Sequence, residues 1–202
     1  MAVLVCEQCD RPLPIMSRKG TRFCGSTCRS RVHRAQRAAA AAEHQRELPA
    51  ELTELRRWIT HTPGRVPLTS SGRLASATDP ATWGKFADVA QLDRRGFVLT
   101  AGDGIVCVDL DHCLSGGVLA PWAAEILAHC PRTYVEVSAS GTGLHIWGRG
   151  RVLSGRRIRR GGRHIEVYGH ARYIAVTGNR FRRSPSSLAD LSGLVPELLA
   201  AC

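Results

Sequence analysis

The sequence predicts an α+β protein: a mixed, mostly antiparallel sheet with flanking helices, preceded by a small cysteine-bearing module. Three observations predict it. Short apolar runs with a two-residue period outnumber helical stretches and do not alternate regularly with them, as a doubly wound sheet would require. Four of the eight cysteines crowd into the first 28 residues as two close pairs. The third is the run Ile105–Asp111, whose period of two sends Val106, Val108 and Leu110 to one face and gathers Asp109 and Asp111 on the other.

A chain of 202 residues holds one domain of ordinary size and an appendage, with expected bounds of 47–202 and 1–46. Its 28 Lys and Arg exceed its 17 Asp and Glu, for a formal charge of +11, and nearly all of the positive charge is arginine. A guanidinium fork matches phosphate, so the balance points to nucleic acid or nucleotides. No segment has the long basic amphipathic face that a membrane surface would require, so no membrane partner is expected. With no apolar run of about 18 residues and no secretion-signal pattern, the expected location is cytoplasmic. The scattered Cys107, Cys113, Cys130 and Cys202 then read as buried thiols, not as a disulfide framework.

In chain order, Cys6-x-x-Cys9 and Cys24-x-x-x-Cys28 are separated by fourteen residues. This spacing predicts a tetrahedral structural Zn2+. Residues 29–46 have high helix propensity and no apolar stripe, with arginines at 29, 31, 34 and 37. Such a helix is either a solvated linker or a surface that tracks phosphates, with Arg29, Arg31 and Arg34 as nucleic-acid contacts. Leu48, Leu52, Leu55 and Ile59 recur at helical spacing and predict a helix over 48–59. Asp79-Pro80 predicts an N-cap and first helical position, with the helix running through Trp83 and Phe86 to about Leu92. Segment 97–100 reads as a strand, 101–104 as a turn, and the two with Ile105–Asp111 as a hairpin.

A helix is expected from Pro121 to before Pro131, and a strand over 133–137. Ser138, Ser140, Gly141, Thr142 and Gly143 follow, a composition that suits either a tight hairpin turn or a cradle for a triphosphate. The next strands, 143–147 and 164–168, carry His145 and Glu166 where aliphatic residues are expected. Between them, seven arginines lie in 149–163 with almost nothing to bury. That segment is expected as a loop, a solvated excursion or a contact to a template backbone through Arg156, Arg157, Arg159 and Arg160. A strand over 173–177 and a helix over 191–201 close the chain.

Two carboxylates roughly 6–7 Å apart at a strand's end, from its ~3.3 Å rise per residue, suit one or two hard divalent cations. Asp109, Asp111, His145 and Glu166 are therefore expected to converge on one sheet face. Val108-Asp109-Leu110-Asp111, the stretch from Glu136 through Ser138-Ala139-Ser140-Gly141-Thr142-Gly143 to His145-Ile146, Ile165-Glu166-Val167-Tyr168, and Arg172-Tyr173-Ile174-Ala175-Val176-Thr177-Gly178 resemble the bifunctional DNA primase/polymerase domain of plasmids and phages. That domain belongs to the archaeo-eukaryotic primase superfamily. Arg65-Val66-Pro67, Asp79-Pro80-x-x-Trp83 and Gly96-Phe97-Val98-Leu99 fit the same family, and the resemblance spans about 51–185.

The resemblance implies template-directed nucleotidyl transfer on single-stranded DNA with nucleoside triphosphates and Mg2+ or Mn2+. It implies that Asp109, Asp111 and Glu166 hold the cations and that His145 contacts the incoming nucleotide's phosphates. Ala139 stands where many relatives have Pro. Relatives commonly add a helicase domain or a C-terminal helical domain; neither is expected in this chain, and a separate replicative helicase is an expected partner. Cys24 to Ala35 resembles short zinc ribbons of actinobacterial and phage proteins, which implies association with nucleic acid. Two alternatives stay open: a catalytically idle zinc-containing DNA-binding module, and a metal-dependent nuclease with His112 beside its acids.

Overall fold

The computed structural model describes residues 4–14, 16–18, 20–45 and 47–200, with side chains for all of these except 36–45. The expectations for Arg46, Ala201, Cys202 and the Arg37 side chain lie outside the described residues. The chain divides into two compact units, Met1–Gln45 and Arg46–Cys202.

In the first unit, the amides of Cys9 and Asp10 both donate to the Cys6 carbonyl, which closes a knuckle, and Val5 bridges Pro12 across it. Helix α1 (Ser26–Gln45) begins inside the second cysteine pair, so Cys28 sits in its first turn.

The second unit opens with α2 (Ala50–Thr53), β1 (Trp58–His61) and β2 (Pro67–Leu68). Then come β3 (Arg95–Leu99), β4 (Ile105–Asp111), β5 (Leu114–Ser115), β6 (Val118–Leu119) and α3 (Pro121–His129). The remainder is β7 (Val135–Val137), β8 (Leu144–Arg149), β9 (Arg156–Arg160), β10 (Arg163–Tyr168), β11 (Arg172–Val176), β12 (Ala189–Asp190) and α4 (Leu194–Ala200). The α+β expectation holds. One sheet is antiparallel in the order β11-β3-β1-β2. The other runs β12-β8-β4-β10-β9, with β7 also paired to β8, and its single parallel pair, β12 with β8, makes it mixed.

The mixed sheet buries both faces. Val106, Val108 and Leu110 of β4 pack with Ala123 and Ile126 of α3 and Leu194 and Val195 of α4. On the opposite face, Ile105, Cys107, Trp147 and Tyr168 pack with Trp58, Phe97 and Leu99 of the antiparallel sheet. The order is thus helices, mixed sheet, antiparallel sheet. No helix among the described residues is long and apolar enough to cross a membrane.

Four local expectations are corrected by this packing. The helix over 48–59 shrinks to α2, because Trp58 and Ile59 are both fully buried in different clusters, Trp58 with Leu52 and Phe97, Ile59 with Trp83 and Val98. Adjacent residues buried in opposite directions need a strand. The helix over 79–92 becomes two single turns, Pro80–Thr82 and Phe86–Asp88, although Asp79 does cap the first by accepting from the Ala81 amide at 3.0 Å. Gly84 interrupts it by exchanging both backbone hydrogen bonds with Trp58.

The hairpin expected from β3 and β4 does not form, because both edges of β4 are taken by β8 and β10 while β3 lies between β1 and β11. The turn between them crosses from one sheet to the other. The arginine segment is not a loop throughout: β9 pairs with β10 across Gly161 and Gly162, both at positive φ. Its Ile158 is buried in the helix-side core, so this edge strand is anchored by one apolar residue among arginines, whose charge also discourages edge pairing.

Candidate active site

The register of five strands sets one polar row across the mixed sheet. Glu136 of β7 faces His145 of β8, His145 faces Asp109 of β4, Asp109 faces Glu166 of β10, and Glu166 faces Arg157 of β9. One step toward the core the same face carries Cys107, flanked by Trp147 and Tyr168. A step the other way come Asp111, His164 and Arg159. A face that begins as core therefore ends in a cleft within one strand.

The three carboxylates of Asp109, Asp111 and Glu166 each bring an oxygen within 4.8 Å of the others. Asp109 Oδ1 is buried and has no hydrogen-bond partner, and His145 Nε2 lies 3.7 Å from it. An orphaned buried carboxylate oxygen beside two more acids is the donor set a hard cation fits. Burial drives Asp109 from 3.8 up to about 6, and the charges of Asp111 and Glu166 add to the rise against the opposing pull of His145 and Arg65.

Glu166 is restrained from both sides. Tyr168 donates its hydroxyl to Oε2 at 2.6 Å, and Arg157 Nε lies 3.0 Å from Oε1. His145 Nδ1 meets Glu136 Oε1 at 3.1 Å. Burial opposes the charged imidazole, but the bond to Glu136 and the charges of Asp109 and Glu136 outweigh it, so His145 titrates above its ordinary value.

A cleft of about 490 Å³ opens over this row, lined by the acids, His145 and the cationic Arg65, Arg157, Arg159 and Arg172. A neighbouring cavity of about 530 Å³ shares Arg65, Ala139 and Ala175 with it and adds His61, Arg94, Arg95 and Ser140. Carboxylates suit cations and guanidinium groups suit phosphates, and this one cleft is lined by both.

The expected convergence of Asp109, Asp111, His145 and Glu166 is present. The segment 138–143 is a hairpin turn between β7 and β8. Its amides at Gly141, Thr142 and Gly143 bond inward to the Ser138 carbonyl, Ser140 Oγ and Ser138 Oγ. Of that turn, Ala139 and Ser140 line the cavities. Arg157 and Arg159 point into the cleft, whereas Arg156 and Arg160 alternate away from it. Arg29, Arg31 and Arg34 are exposed on α1. Sequence reasoning missed Glu136, Arg65, Tyr168 and Arg172. For Glu136 the signal was the one that exposed His145, a polar residue at an inward position of an apolar strand.

In the first unit Cys6, Cys9, Cys24 and Cys28 bring their sulfurs within 4.8 Å of one another. The Cys9–Cys24, Cys24–Cys28 and Cys28–Cys9 separations are 3.6, 3.6 and 3.7 Å. A tetrahedron of thiolates about 2.3 Å from Zn2+ has edges of about 3.8 Å, so the donor set fits that ion. Without a cation the neighbouring sulfurs of Cys24 and Cys9, together with burial, push the Cys28 thiol up to about 12.

A cleft lined by three carboxylates, His145 and four guanidinium groups has the chemistry that divalent cations and phosphates require. The family model described as bifunctional DNA primase/polymerase, N-terminal, matches residues 33–191, and the chain belongs to that family of enzymes. The DNA primase-polymerase of Nitratiruptor phage NrS-1 is 34% identical over 137 residues, covering 61% of this chain and 19% of that protein.

Proposed function

We propose that residues 47–202 form the catalytic domain of a DNA primase-polymerase of phage or plasmid type, extending or starting a strand by nucleotidyl transfer on a single-stranded DNA template. The observation that carries this reading is the cluster of Asp109, Asp111 and Glu166, one of whose members, Asp109, has a buried oxygen without a hydrogen-bond partner. These residues would hold Mg2+ or Mn2+. Bound there, such cations supply activation of an attacking 3′-hydroxyl and neutralisation of pyrophosphate.

The chain's own side chains do the rest. His145 presents Nε2 to a phosphate oxygen, and Arg65 and Arg172 lining the cleft balance the triphosphate's charge. Arg157 and Tyr168 keep Glu166 turned toward the aspartates. Ser138, Gly141, Thr142 and Gly143 contribute by shaping the turn, and Ser140 by lining the adjoining cavity. Residues 1–46 form a zinc ribbon whose helix offers Arg29, Arg31 and Arg34 to the template backbone; within the second unit, Arg159 in the cleft and Arg156 and Arg160 on the other face of β9 are further contacts to nucleic-acid phosphates. A separate replicative helicase would open the duplex ahead of it.

The test is incubation with a single-stranded template, Mn2+ and labelled nucleotides, beside Asp109→Ala. Products that lengthen only with the intact acid support the polymerase. Template shortening would identify a nuclease, and binding without turnover an idle DNA-binding module.

A further inference from the structure

Glu136 is fully buried and lies outside the acidic cluster. Its position asks for an explanation, because a buried carboxylate is retained only where donors surround it. Oε2 accepts from the Tyr134 hydroxyl at 3.1 Å, the Thr177 amide at 3.1 Å and the Gly178 amide at 2.8 Å. Thr177 Oγ1 is also 3.2 Å away, but its closer acceptor is the Val137 carbonyl at 2.7 Å. Oε1 faces Trp147 Nε1 at 3.4 Å and His145 Nδ1 at 3.1 Å.

All but one of these donors are backbone amides or groups of the surrounding core. The exception is His145, whose other nitrogen looks into the cleft at Asp109. A carboxylate accepts and does not donate, so it requires a proton on Nδ1 and fixes both the ring plane and which nitrogen is left for the cleft. The imidazole is only 5% exposed, so close packing around it restricts how it can turn.

We infer that Glu136 is a positioning residue, which acts through His145 by holding Nδ1 so that Nε2 is aimed at the phosphates of a nucleotide in the cleft. This rests on the nucleotidyl-transfer reading. It adds an anchor reaching from the β11 end, through the Thr177 and Gly178 amides, to the nucleotide site. Glu136→Gln keeps one accepting oxygen and replaces the other with a donor, so its amide must turn an NH2 group either toward His145 Nδ1 or toward the backbone amides.

The experiment is a double-mutant cycle in primer extension by the full chain, with Glu136→Gln, His145→Ala and both together, reading nucleotide KM and kcat at saturating Mn2+. Glu136→Gln should raise nucleotide KM by roughly 10-fold, taking the low end of the loss seen when a metal-ligating histidine loses the partner that orients it. It should add nothing further once His145 is gone. An unchanged KM, or effects that multiply in the double variant, would overturn the inference. A merely structural role lowers the melting temperature without this coupling.

Should Glu136→Gln fail to fold, 15N NMR of the wild-type imidazole decides. A proton carried by Nδ1 and hydrogen-bonded supports the inference, and a ring protonated at Nε2 alone overturns it. Absence of extension by the wild type counts against nucleotidyl transfer, while the NMR result stands by itself.

Discussion

At the scale of single residues, Asp109 carries the cost of the site. Its folded-state pKa of about 6 stands above the ordinary 3.8, so the fold disfavours the ionised form. For an acid raised in this way the penalty is absent below about 3.8 and complete above about 6, and metal-free stability falls as pH rises between them. His145, raised above its ordinary value, works in the same direction, because the stability it contributes is present at low pH and lost as pH rises through its folded value. Asp109→Asn should therefore stabilise the metal-free protein at pH 7.5 by about 2–3 kcal/mol, at about 1.4 kcal/mol per pKa unit, and change little near pH 3.5. Thermal melts in EDTA at the two pH values check this, and a destabilised variant at pH 7.5 would contradict it.

At the scale of elements, the site depends on how closely the turn before β8 lies against β4. A Cβ on Gly143 would come within 2.8 Å of the Leu110 carbonyl oxygen and 2.9 Å of Ser138 Oγ, with the Asp111 backbone 3.6 Å away. Both the turn and the acidic end of β4 would have to part. Gly143→Ala is expected to cost about 1–3 kcal/mol, the range for overpacking, and to reduce Mn2+-dependent extension by more than the loss of folded protein explains. Melting temperature and extension rate measured on the same preparation separate the two effects.

The elements also show what was legible in advance. The alternation in β4, β8 and β10 revealed the four polar residues that meet, since period two follows from the strand backbone alone. The helix expected over 48–59 failed for the complementary reason. Leu48, Leu52, Leu55 and Ile59 satisfy helical spacing, but Trp58 exchanges backbone bonds with Gly84 and pairs with β3, partners distant in sequence.

At the scale of the whole molecule, the two units divide the expected work. The acids and the cleft arginines belong to the second unit, and the cysteine cluster and exposed Arg29, Arg31 and Arg34 to the first. Replacing those three arginines with alanine should weaken single-stranded DNA binding and leave nucleotide KM unchanged. The slope of log affinity against log salt should shrink by about 2, at about 0.7 per phosphate for single strands. Titrations at several salt concentrations give both numbers, and an unaltered affinity would restrict the first unit to a structural part.

By itself the sequence determined the cysteine quartet, the basic character of the surface and the side chains that share a strand face, because each is a property of local spacing or composition. Only the tertiary structure decided which strands are neighbours. That choice separated β3 from β4, drew the arginine segment into β9, and aligned Glu136, His145, Asp109, Glu166 and Arg157 in one row. Glu136 meets Thr177 and Gly178 across 41 and 42 residues of chain. The reason is physical: strand register and pairing are settled by burying both faces of the sheet at once, and no local pattern encodes which distant segment completes that burial.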